Sequence, residues 1–151
     1  MTTRYHVQRR IDAPPERVWA LLTDASSYGA WNKAVMSIEG TIAAGSTISL
    51  VSTANPKRTF RLRVSEMAAP NRMVWRDGMP LGLFTGERTY AVHPREGVTH
   101  FEMTEEYTGI LAGLFTKAIP DLTASFELFA DSLKAAAEAP AAQAPATGPG
   151  G

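Results

Sequence analysis

Four polar side chains on two adjacent predicted strands carry most of the acid–base chemistry that this sequence offers. Arg88, Glu105, Tyr90 and Tyr107 fall at inward positions of segments in which polar and apolar residues alternate. Alternation with a period of two places such residues on the strand face that meets the core. An arginine there can donate hydrogen bonds to a carbonyl or phenol oxygen, and a carboxylate can orient a ligand or accept a proton. These four residues are the candidate catalytic group if the protein is an enzyme.

The pairing of the two strands depends on the turn between them. Phe84–His93 and Val98–Tyr107 flank residues 94–97, where a proline and a glycine predict a β-hairpin. A four-residue turn places Val92 opposite Thr99, which makes one face mainly apolar and the other polar. A register slip of one residue would destroy both patterns.

In this register Arg88 and Glu105 are diagonal neighbours on the inner face, within reach of each other. Because an unpaired buried charge is costly, we expect them to form an ion pair. The pair is either a structural link near the end of the sheet or a polar anchor for a ligand carbonyl or phenol. In the second case Arg88 is the donor and Glu105 the orienter or base. Replacing Arg88 by leucine should then weaken ligand binding and leave the fold intact, whereas unfolding would favour the first interpretation.

Aromatic residues and methionines are concentrated on the faces that should enclose a cavity between a sheet and a helix. Methionine adapts readily to irregular apolar ligands, and aromatic rings supply large apolar surfaces. Core packing would also account for any one of these residues, so the functional prediction concerns the set. The predicted ligand-binding residues are Trp31, Met36, Phe60, Leu62, Trp75, Met79, Leu83, Phe84, Arg88, Tyr90, Phe101, Met103, Glu105, Phe126 and Phe129.

The segment 77–84 is unusually apolar for a loop. Met79, Leu81 and Leu83 stand there between glycines and a proline. The segment either packs under the C-terminal helix or forms a mobile apolar rim at the mouth of the cavity, and we prefer the second interpretation.

Periodicity and turn residues predict the elements that hold these side chains. A first strand ends at Ile11, Pro14 and Pro15 begin a short amphipathic helix, and Asp24–Ala30 forms a second short helix or a turn. After the strands, apolar residues recur at helical spacing, behind a proline at position 120 that either kinks one helix or begins another. The predicted strands before the hairpin are Tyr5–Ile11, Val35–Glu39, Thr47–Ser52, Thr59–Met67 and Met73–Asp77.

This order of elements resembles the START-like superfamily, also called SRPBCC, which includes polyketide cyclases and dehydratases. The resemblance covers roughly residues 3–138. It is carried by the segment Ile11–Asn32, the run of strands, the closing helix and Glu105–Gly109 at the end of the last strand. It implies an α+β helix-grip fold, in which a curved antiparallel sheet wraps around a long C-terminal helix after two short helices.

The resemblance implies three classes of function. The first, which we favour, is a carrier, sensor or sequestering protein that binds a hydrophobic or polycyclic small molecule. The second is a polyketide cyclase, dehydratase or aromatase-type enzyme, in which Arg88, Glu105 and a tyrosine would polarise a carbonyl and move a proton. The third is a protein-interaction module like the co-chaperones that activate a chaperone ATPase. A fold does not establish a reaction, so enzyme activity stays open.

Composition argues against several other classes of protein. The 15 basic and 15 acidic side chains form no charged block, which argues against nucleic-acid binding. There is no cysteine, and the three histidines lack metal-ligand spacing, so no metal site is expected and no cofactor is implied. No signal peptide and no membrane-spanning apolar run are visible, which predicts a cytoplasmic protein without membrane insertion. A homodimer is compatible with the sequence.

The chain of 151 residues is predicted to form one domain over residues 1–138 and a disordered tail over residues 139–151. The tail contains only Ala, Pro, Gly, Gln and Thr. Such a segment cannot bury enough surface to offset the entropy lost on ordering.

Overall fold

One antiparallel sheet and four helices make up the part of the chain that the computed structural model describes, residues 3–118 and 121–140. The strands are β1 (Thr3–Ile11), β2 (Val35–Glu39), β3 (Thr47–Ser52), β4 (Asn55–Ala68), β5 (Arg72–Met79), β6 (Phe84–Arg95) and β7 (Val98–Thr108). The helices are α1 (Pro15–Thr23), α2 (Tyr28–Trp31), α3 (Ala112–Ala118) and α4 (Thr123–Glu138), and 3₁₀ turns cover Ala25–Ser27 and Pro80–Gly82.

The seven described strands form a single sheet in the order β1-β7-β6-β5-β4-β3-β2, and each neighbouring pair is antiparallel. The sheet curls around α4, whose Phe126 and Phe129 are buried against it. Ring contacts join the helix to the sheet, with Tyr5 at 5.5 Å from Phe126 and Tyr90 at 5.9 Å from Phe129. The apolar stripe of the last helix therefore becomes its inner face. The predicted α+β helix-grip fold is confirmed.

A side chain of the first helix holds the end of the last one. Pro15 stands in the first turn of α1, where a missing N–H costs no helical hydrogen bond. Two residues later, the Nε–H of Arg17 donates to the carbonyl of Ala137 at 2.6 Å, and its Nη2 donates to those of Ala136 and Ala139 at 3.2 Å. The last C=O groups of a helix have no partner within it and need donors from elsewhere. Arg17 supplies them and fixes α4 against α1.

The hairpin between β6 and β7 closes with a two-residue turn, not with the four residues predicted. Glu96 and Gly97 both have a positive φ, of 50° and 87°, and Arg95 pairs with Val98. Two successive positive φ values are typical of a type I′ turn, whose twist matches that of the flanking strands.

The shorter turn moves the register by two residues relative to the prediction, which was wrong on this point. Val92 faces Phe101 instead of Thr99, and Arg88 faces Glu105 directly instead of diagonally. A shift of two residues keeps every side chain on its predicted face, because the side-chain period of a strand is also two. The division into inner and outer faces is therefore unaffected.

Two predictions fall on segments outside the described residues. Pro120 lies outside them, between α3 and α4, which are separate helices. Residues 141–151, most of the predicted disordered tail, also lie outside them.

Candidate functional site

A cavity of about 250 Å³ lies between the inner face of the sheet and α4. Its wall combines aromatic and aliphatic side chains with a few polar groups, a composition typical of small-molecule sites. The residues that line it are Ala34, Val35, Leu50, Ser52, Ala54, Asn55, Arg58, Phe60, Leu62, Trp75, Asp77, Phe84, Gly86, Arg88, Met103, Glu105, Tyr107, Leu122, Ser125, Phe126 and Phe129.

An inner row of the cavity wall runs across three strands as Trp75 on β5, Arg88 on β6 and Glu105 on β7, which are paired in register. Arg88 contacts a single oxygen of Glu105, with Nε at 2.7 Å and Nη2 at 2.5 Å from Oε1. The two side chains are 21% and 13% exposed, so the ion pair is largely buried. The guanidinium also lies 4.7 Å from the ring centre of Phe126, a cation–π contact from α4.

The ion pair keeps Arg88 charged within an apolar wall. Burial lowers the pKa of the Arg88 guanidinium, but the adjacent charge of Glu105 raises it, and the resulting pKa lies above its ordinary value. Arginine carries five N–H groups, and the two that bind Oε1 leave others for a ligand oxygen. The pairing expected from the sequence is present, in direct rather than diagonal geometry.

A second row lies on the same face of the sheet, two residues farther along these strands, and consists of Asp77, Gly86 and Tyr107. Gly86 leaves a gap in this row. A Cβ at Gly86 would lie 3.1 Å from Cε1 of Tyr107 and 3.8 Å from Oε2 of Glu105. The missing side chain therefore opens the space over the second carboxylate oxygen of Glu105, which accepts neither bond from Arg88.

Two polar atoms beside the ion pair are buried without a hydrogen-bond partner among the described residues. They are the hydroxyl of Tyr90 and Nε1 of Trp75, in rings whose centres are 4.7 Å apart. Burial raises the pKa of Tyr90, and the charge of Arg88 opposes that rise only in part. Burial, followed by the charge of Glu105, raises the pKa of Tyr107. Both hydroxyls keep their protons at neutral pH, so they can donate hydrogen bonds but cannot serve as bases.

Asp77 is a polar cavity residue that the sequence analysis missed. Its carboxyl group is partly buried and forms no ion pair with any other described residue. Burial is the main cause that raises the pKa of Asp77, and the charge of Glu105 adds to it, while the N–H of Gly78 and the charge of Arg58 oppose it. The alternation of β5 was the available signal, since Asp77 stands two residues after Trp75 and therefore on the same face.

Ten of the predicted site residues line the cavity, and their contact with a ligand remains a prediction. They come from β4, β5, β6, β7 and α4, the elements whose periodicity was clearest in the sequence. These residues are Phe60, Leu62, Trp75, Phe84, Arg88, Met103, Glu105, Tyr107, Phe126 and Phe129.

Three predicted residues belong to the core beside the cavity instead of lining it. Tyr90 and Phe101 are fully buried. Trp31 packs 4.9 Å from Tyr28 and 6.2 Å from Phe129, and its Nε1 donates to Ser27 at 3.1 Å. Trp31 thus acts as a packing residue between helix and sheet.

Three further predicted residues lie away from the cavity and toward solvent. Met36, on the outer face of β2, is 50% exposed, and Met79 is 40% exposed. Leu83 is partly buried but does not line the cavity.

The segment 77–84 does not pack under α4 as a whole, because Leu81 at its centre is 94% exposed. Only its two ends, Asp77 and Phe84, reach the cavity.

The cavity residues that sequence reasoning missed come mostly from strand ends and connections. β4 begins at Asn55, four residues before its predicted start at Thr59, and Asn55 and Arg58 both line the cavity. Such positions show no periodicity, so no sequence pattern marks them. The other missed residues are Ala34, Val35, Ser52, Ala54, Asp77, Gly86, Leu122 and Ser125.

The histidines lie on the outer face of the sheet, away from the cavity. Nε2 of His6 is 3.2 Å and Nε2 of His93 is 3.6 Å from a carboxylate oxygen of Glu102, and the ring of His100 lies beside His93. Over residues 3–118 and 121–140, no group of three or more His, Asp or Glu side chains has metal-binding geometry. Within the same ranges, no helix is long and apolar enough to span a membrane.

Solved structures that share this fold include an aromatase/cyclase, a synthase and a protein named Aha1. The Zhui aromatase/cyclase from Streptomyces sp. R1128 matches with a TM-score of 0.72 at 13% identity, over 91% of this chain and 94% of that one. Norcoclaurine synthase from Thalictrum flavum matches with a TM-score of 0.68 at 12% identity, over 92% and 95%. Aha1 from Colwellia psychrerythraea matches with a TM-score of 0.65 at 21% identity, over 91% and 97%. At these identities the likeness establishes the fold alone.

A family model gives a more specific result than the individual structures. No curated protein matches the chain. The model described as "Polyketide cyclase / dehydrase and lipid transport" matches residues 2–138, which is nearly the whole chain up to the end of α4. The START-like resemblance seen in the sequence is thereby confirmed, and the chain belongs to the polyketide cyclase / dehydrase and lipid transport family.

Proposed function

We propose that this protein binds a hydrophobic small molecule that contains fused rings, and that it acts as a carrier, sensor or sequestering protein. The observation that carries the proposal is the cavity of about 250 Å³, whose apolar wall contains the Arg88–Glu105 pair. An apolar wall with a few convergent polar groups gives a ligand both affinity and a fixed orientation.

The size of the cavity suits a molecule of about two fused rings. An apolar cavity of about 150 Å³ is enough for one benzene molecule. The larger cavity here accommodates a second ring, and its lining offers flat partners in Phe60, Phe84 and Phe126.

The polar groups favour a ligand that carries a hydrogen-bond acceptor. Arg88, the indole of Trp75 and the hydroxyl of Tyr107 are all donors on the cavity wall. The buried Nε1 of Trp75 lacks a partner among the described residues, and such orphaned groups are costly. A carbonyl or phenol oxygen at the inner row would match this set of donors.

A second candidate function is an enzyme of the cyclase or dehydratase type that uses the same cavity. Two structural neighbours bear the names of an aromatase/cyclase and a synthase. The observation that favours this candidate is the presence of two carboxyl groups, Asp77 and Glu105, beside the donors of the inner row.

A third candidate function is a protein-interaction module. It is supported by two exposed apolar side chains, Leu81 and Ile110, which are 94% and 82% exposed. They lie on two connections that are joined by a backbone hydrogen bond from Leu111 to Leu83.

Calorimetric titration with 2-naphthol and 2-tetralone, two fused-ring compounds that each carry one oxygen, tests the binding proposal. The wild-type protein should bind both. Leu62→Trp, which fills part of the cavity, should weaken binding by at least about tenfold, or ~1.4 kcal/mol.

The matched control is Arg61→Trp, which places the same side chain on the opposite face of the same strand. It should leave both affinities unchanged. Equal binding by the Leu62 variant, or no binding by the wild type, would count against the cavity as the ligand site.

A further inference from the structure

We propose that the cavity catalyses proton transfer at a carbon atom next to a ketone carbonyl, with Asp77 as the base and the inner-row donors as the site of the carbonyl oxygen. This inference rests on the proposed function, because the ketone must first bind in the cavity. It replaces Glu105, the base suggested by the sequence, with a residue that the sequence analysis did not single out.

Among the described residues of the cavity wall, Asp77 is the carboxylate that forms no ion pair, although the charge of Arg58 acts on it from farther away. Glu105 is held by Arg88, which places its negative charge beside a fixed positive one. The hydroxyl of Tyr107 retains its proton. The three histidines lie on the outer face of the sheet, so the most common proton-transfer side chain is missing from the cavity wall.

The positions of Asp77 and Arg88 suit one small ketone that contacts both. Asp77 pairs with Gly86, and Arg88 follows two residues later on the same face, so Asp77 and Arg88 are diagonal neighbours. Diagonal neighbours in a sheet have Cα atoms about 7–8 Å apart. Gly86 presents no side chain next to either of them. A carbonyl oxygen can therefore bind Arg88 while the adjacent carbon lies against the carboxylate of Asp77.

The environment of Asp77 also suits a general base. A base works best when its pKa is close to the working pH, because it must be ionised yet still attract a proton. Burial, with the charge of Glu105, raises the pKa of the Asp77 carboxyl above its ordinary value, against the N–H of Gly78 and the charge of Arg58. The carboxyl remains partly accessible, so its proton can exchange with solvent.

The reaction is an enolisation that needs no other reactant. The carboxylate of Asp77 takes the proton from the carbon next to the carbonyl. The electron pair of that C–H bond forms a carbon–carbon double bond, and the π pair of the carbonyl moves onto its oxygen. Arg88 stabilises the resulting enolate oxygen, a form of charge stabilisation that is strongest in a water-poor site. Return of a proton from Asp77 to the carbon restores the ketone.

Deuterium exchange into 2-tetralone tests the proposal, because this two-ring ketone has acidic hydrogens next to its carbonyl. Exchange in D₂O is followed by proton NMR, and binding of the same compound is measured by calorimetry. The wild-type protein should accelerate exchange over buffer on the order of 10²-fold, as general base catalysis does. Asp77→Asn should bind 2-tetralone within about threefold of wild type, or ~0.65 kcal/mol, and lose most of the acceleration.

The control is Glu87→Gln, which removes a carboxylate next to Gly86 and Arg88 in sequence but on the outer face, where it pairs with Arg76. It should exchange like wild type. If Asp77→Asn is poorly folded, Asp77→Ser removes the carboxyl with a smaller side chain and must give the same loss.

The outcomes separate the two proposals. Binding of 2-tetralone without faster exchange, or equal exchange by wild type and Asp77→Asn, overturns the assignment of Asp77 and leaves the binding function standing. Absence of 2-tetralone binding to the wild type overturns the binding proposal and, with it, the catalytic one.

Discussion

Arg88 directs two N–H groups to one oxygen of Glu105, and this asymmetry decides what the pair can do. A guanidinium that used both carboxylate oxygens would satisfy the pair internally. Here Oε2 of Glu105 faces the gap at Gly86, and the remaining N–H groups of Arg88 are left for other acceptors. The structural and ligand-binding interpretations of this pair are therefore compatible with each other.

At the scale of residues, Arg88→Leu should lower the free energy of unfolding, since it leaves Glu105 uncompensated. Breaking a fully buried pair costs about 3–5 kcal/mol, and the partial exposure here reduces our expectation to about 2–3 kcal/mol. The double variant Arg88→Leu/Glu105→Leu should recover part of that loss. Urea denaturation of the single and double variants measures the coupling energy.

A surface pair provides the comparison for this experiment. Arg76 and Glu87 form an ion pair on the outer face, with side chains 55% and 34% exposed. Arg76→Leu should cost less than about 1 kcal/mol, as is usual for exposed pairs. If Arg88→Leu costs no more than Arg76→Leu while it abolishes ligand binding, the pair is an anchor only.

At the scale of elements, the turn of the β6–β7 hairpin determines which polar residues meet. Glu96 and Gly97 form a type I′ turn, and this turn places Arg88 opposite Glu105. Strand sequences alone accept either register, because both keep the same residues on the inner face. The local conformation of two surface residues thus controls the geometry of the site.

Substitutions in this turn should change stability in opposite directions. Gly97→Ala places a Cβ at a φ of 87° and should cost about 1–2 kcal/mol. Glu96→Asn should be neutral or stabilising by less than about 1 kcal/mol, because asparagine tolerates a positive φ better than glutamate does. Thermal denaturation of the two variants distinguishes them. Equal effects in the two would contradict a type I′ turn.

Arg17 gives a second prediction at this scale, because it joins α1 to the end of α4. Arg17→Met keeps the length of the side chain but removes the donors to three carbonyl groups. The free energy of unfolding should fall by about 1–3 kcal/mol, the usual cost of leaving buried polar groups unpaired. Arg10→Met is the control, since Arg10 is 72% exposed in its pair with Asp12 and should matter little. Similar losses in both variants would argue against a stabilising role of the hydrogen bonds from Arg17 to the end of α4.

At the scale of the whole molecule, burial of aromatic rings around α4 links stability to alkaline pH. Burial raises the pKa of Tyr28, Tyr90 and Tyr107 above the ordinary value. The four tyrosines of the chain therefore include three that resist ionisation in the folded state. The unfolded chain ionises them near pH 10, so above that pH it binds fewer protons than the folded chain does.

The free energy of unfolding should consequently fall as the pH rises above about 10. Each such tyrosine contributes a slope of about 1.4 kcal/mol per pH unit, so the three together give about 4 kcal/mol per pH unit. Tyr90→Phe should remove about a third of this slope. It should cost little stability at neutral pH, since the lost hydroxyl has no partner among the described residues. A slope that does not change in Tyr90→Phe would show that this tyrosine ionises normally.

How far the site could be predicted depends on the kind of evidence each residue leaves in the sequence. Arg88, Glu105 and Trp75 stand inside long alternating segments, so their face could be assigned and their meeting expected. Asp77 obeys the same alternation, but it is the last residue of the predicted strand, and the glycines and proline that follow it indicate a loop. Arg58 stands before the predicted start of β4, where no periodicity distinguishes strand from connection.

The sequence by itself determined the order of the elements and the face on which each strand residue lies. Both follow from local rules, a period of two along a strand and of three or four along a helix, which act over a few residues. Only the tertiary structure decided the hairpin register, the gap at Gly86 and the meeting of Asp77 with the inner row. These depend on the backbone conformation of one turn and on how far the sheet curls around α4. Contacts between distant segments leave no local pattern, so the shape of the cavity emerges only when the sheet and the helix are packed together.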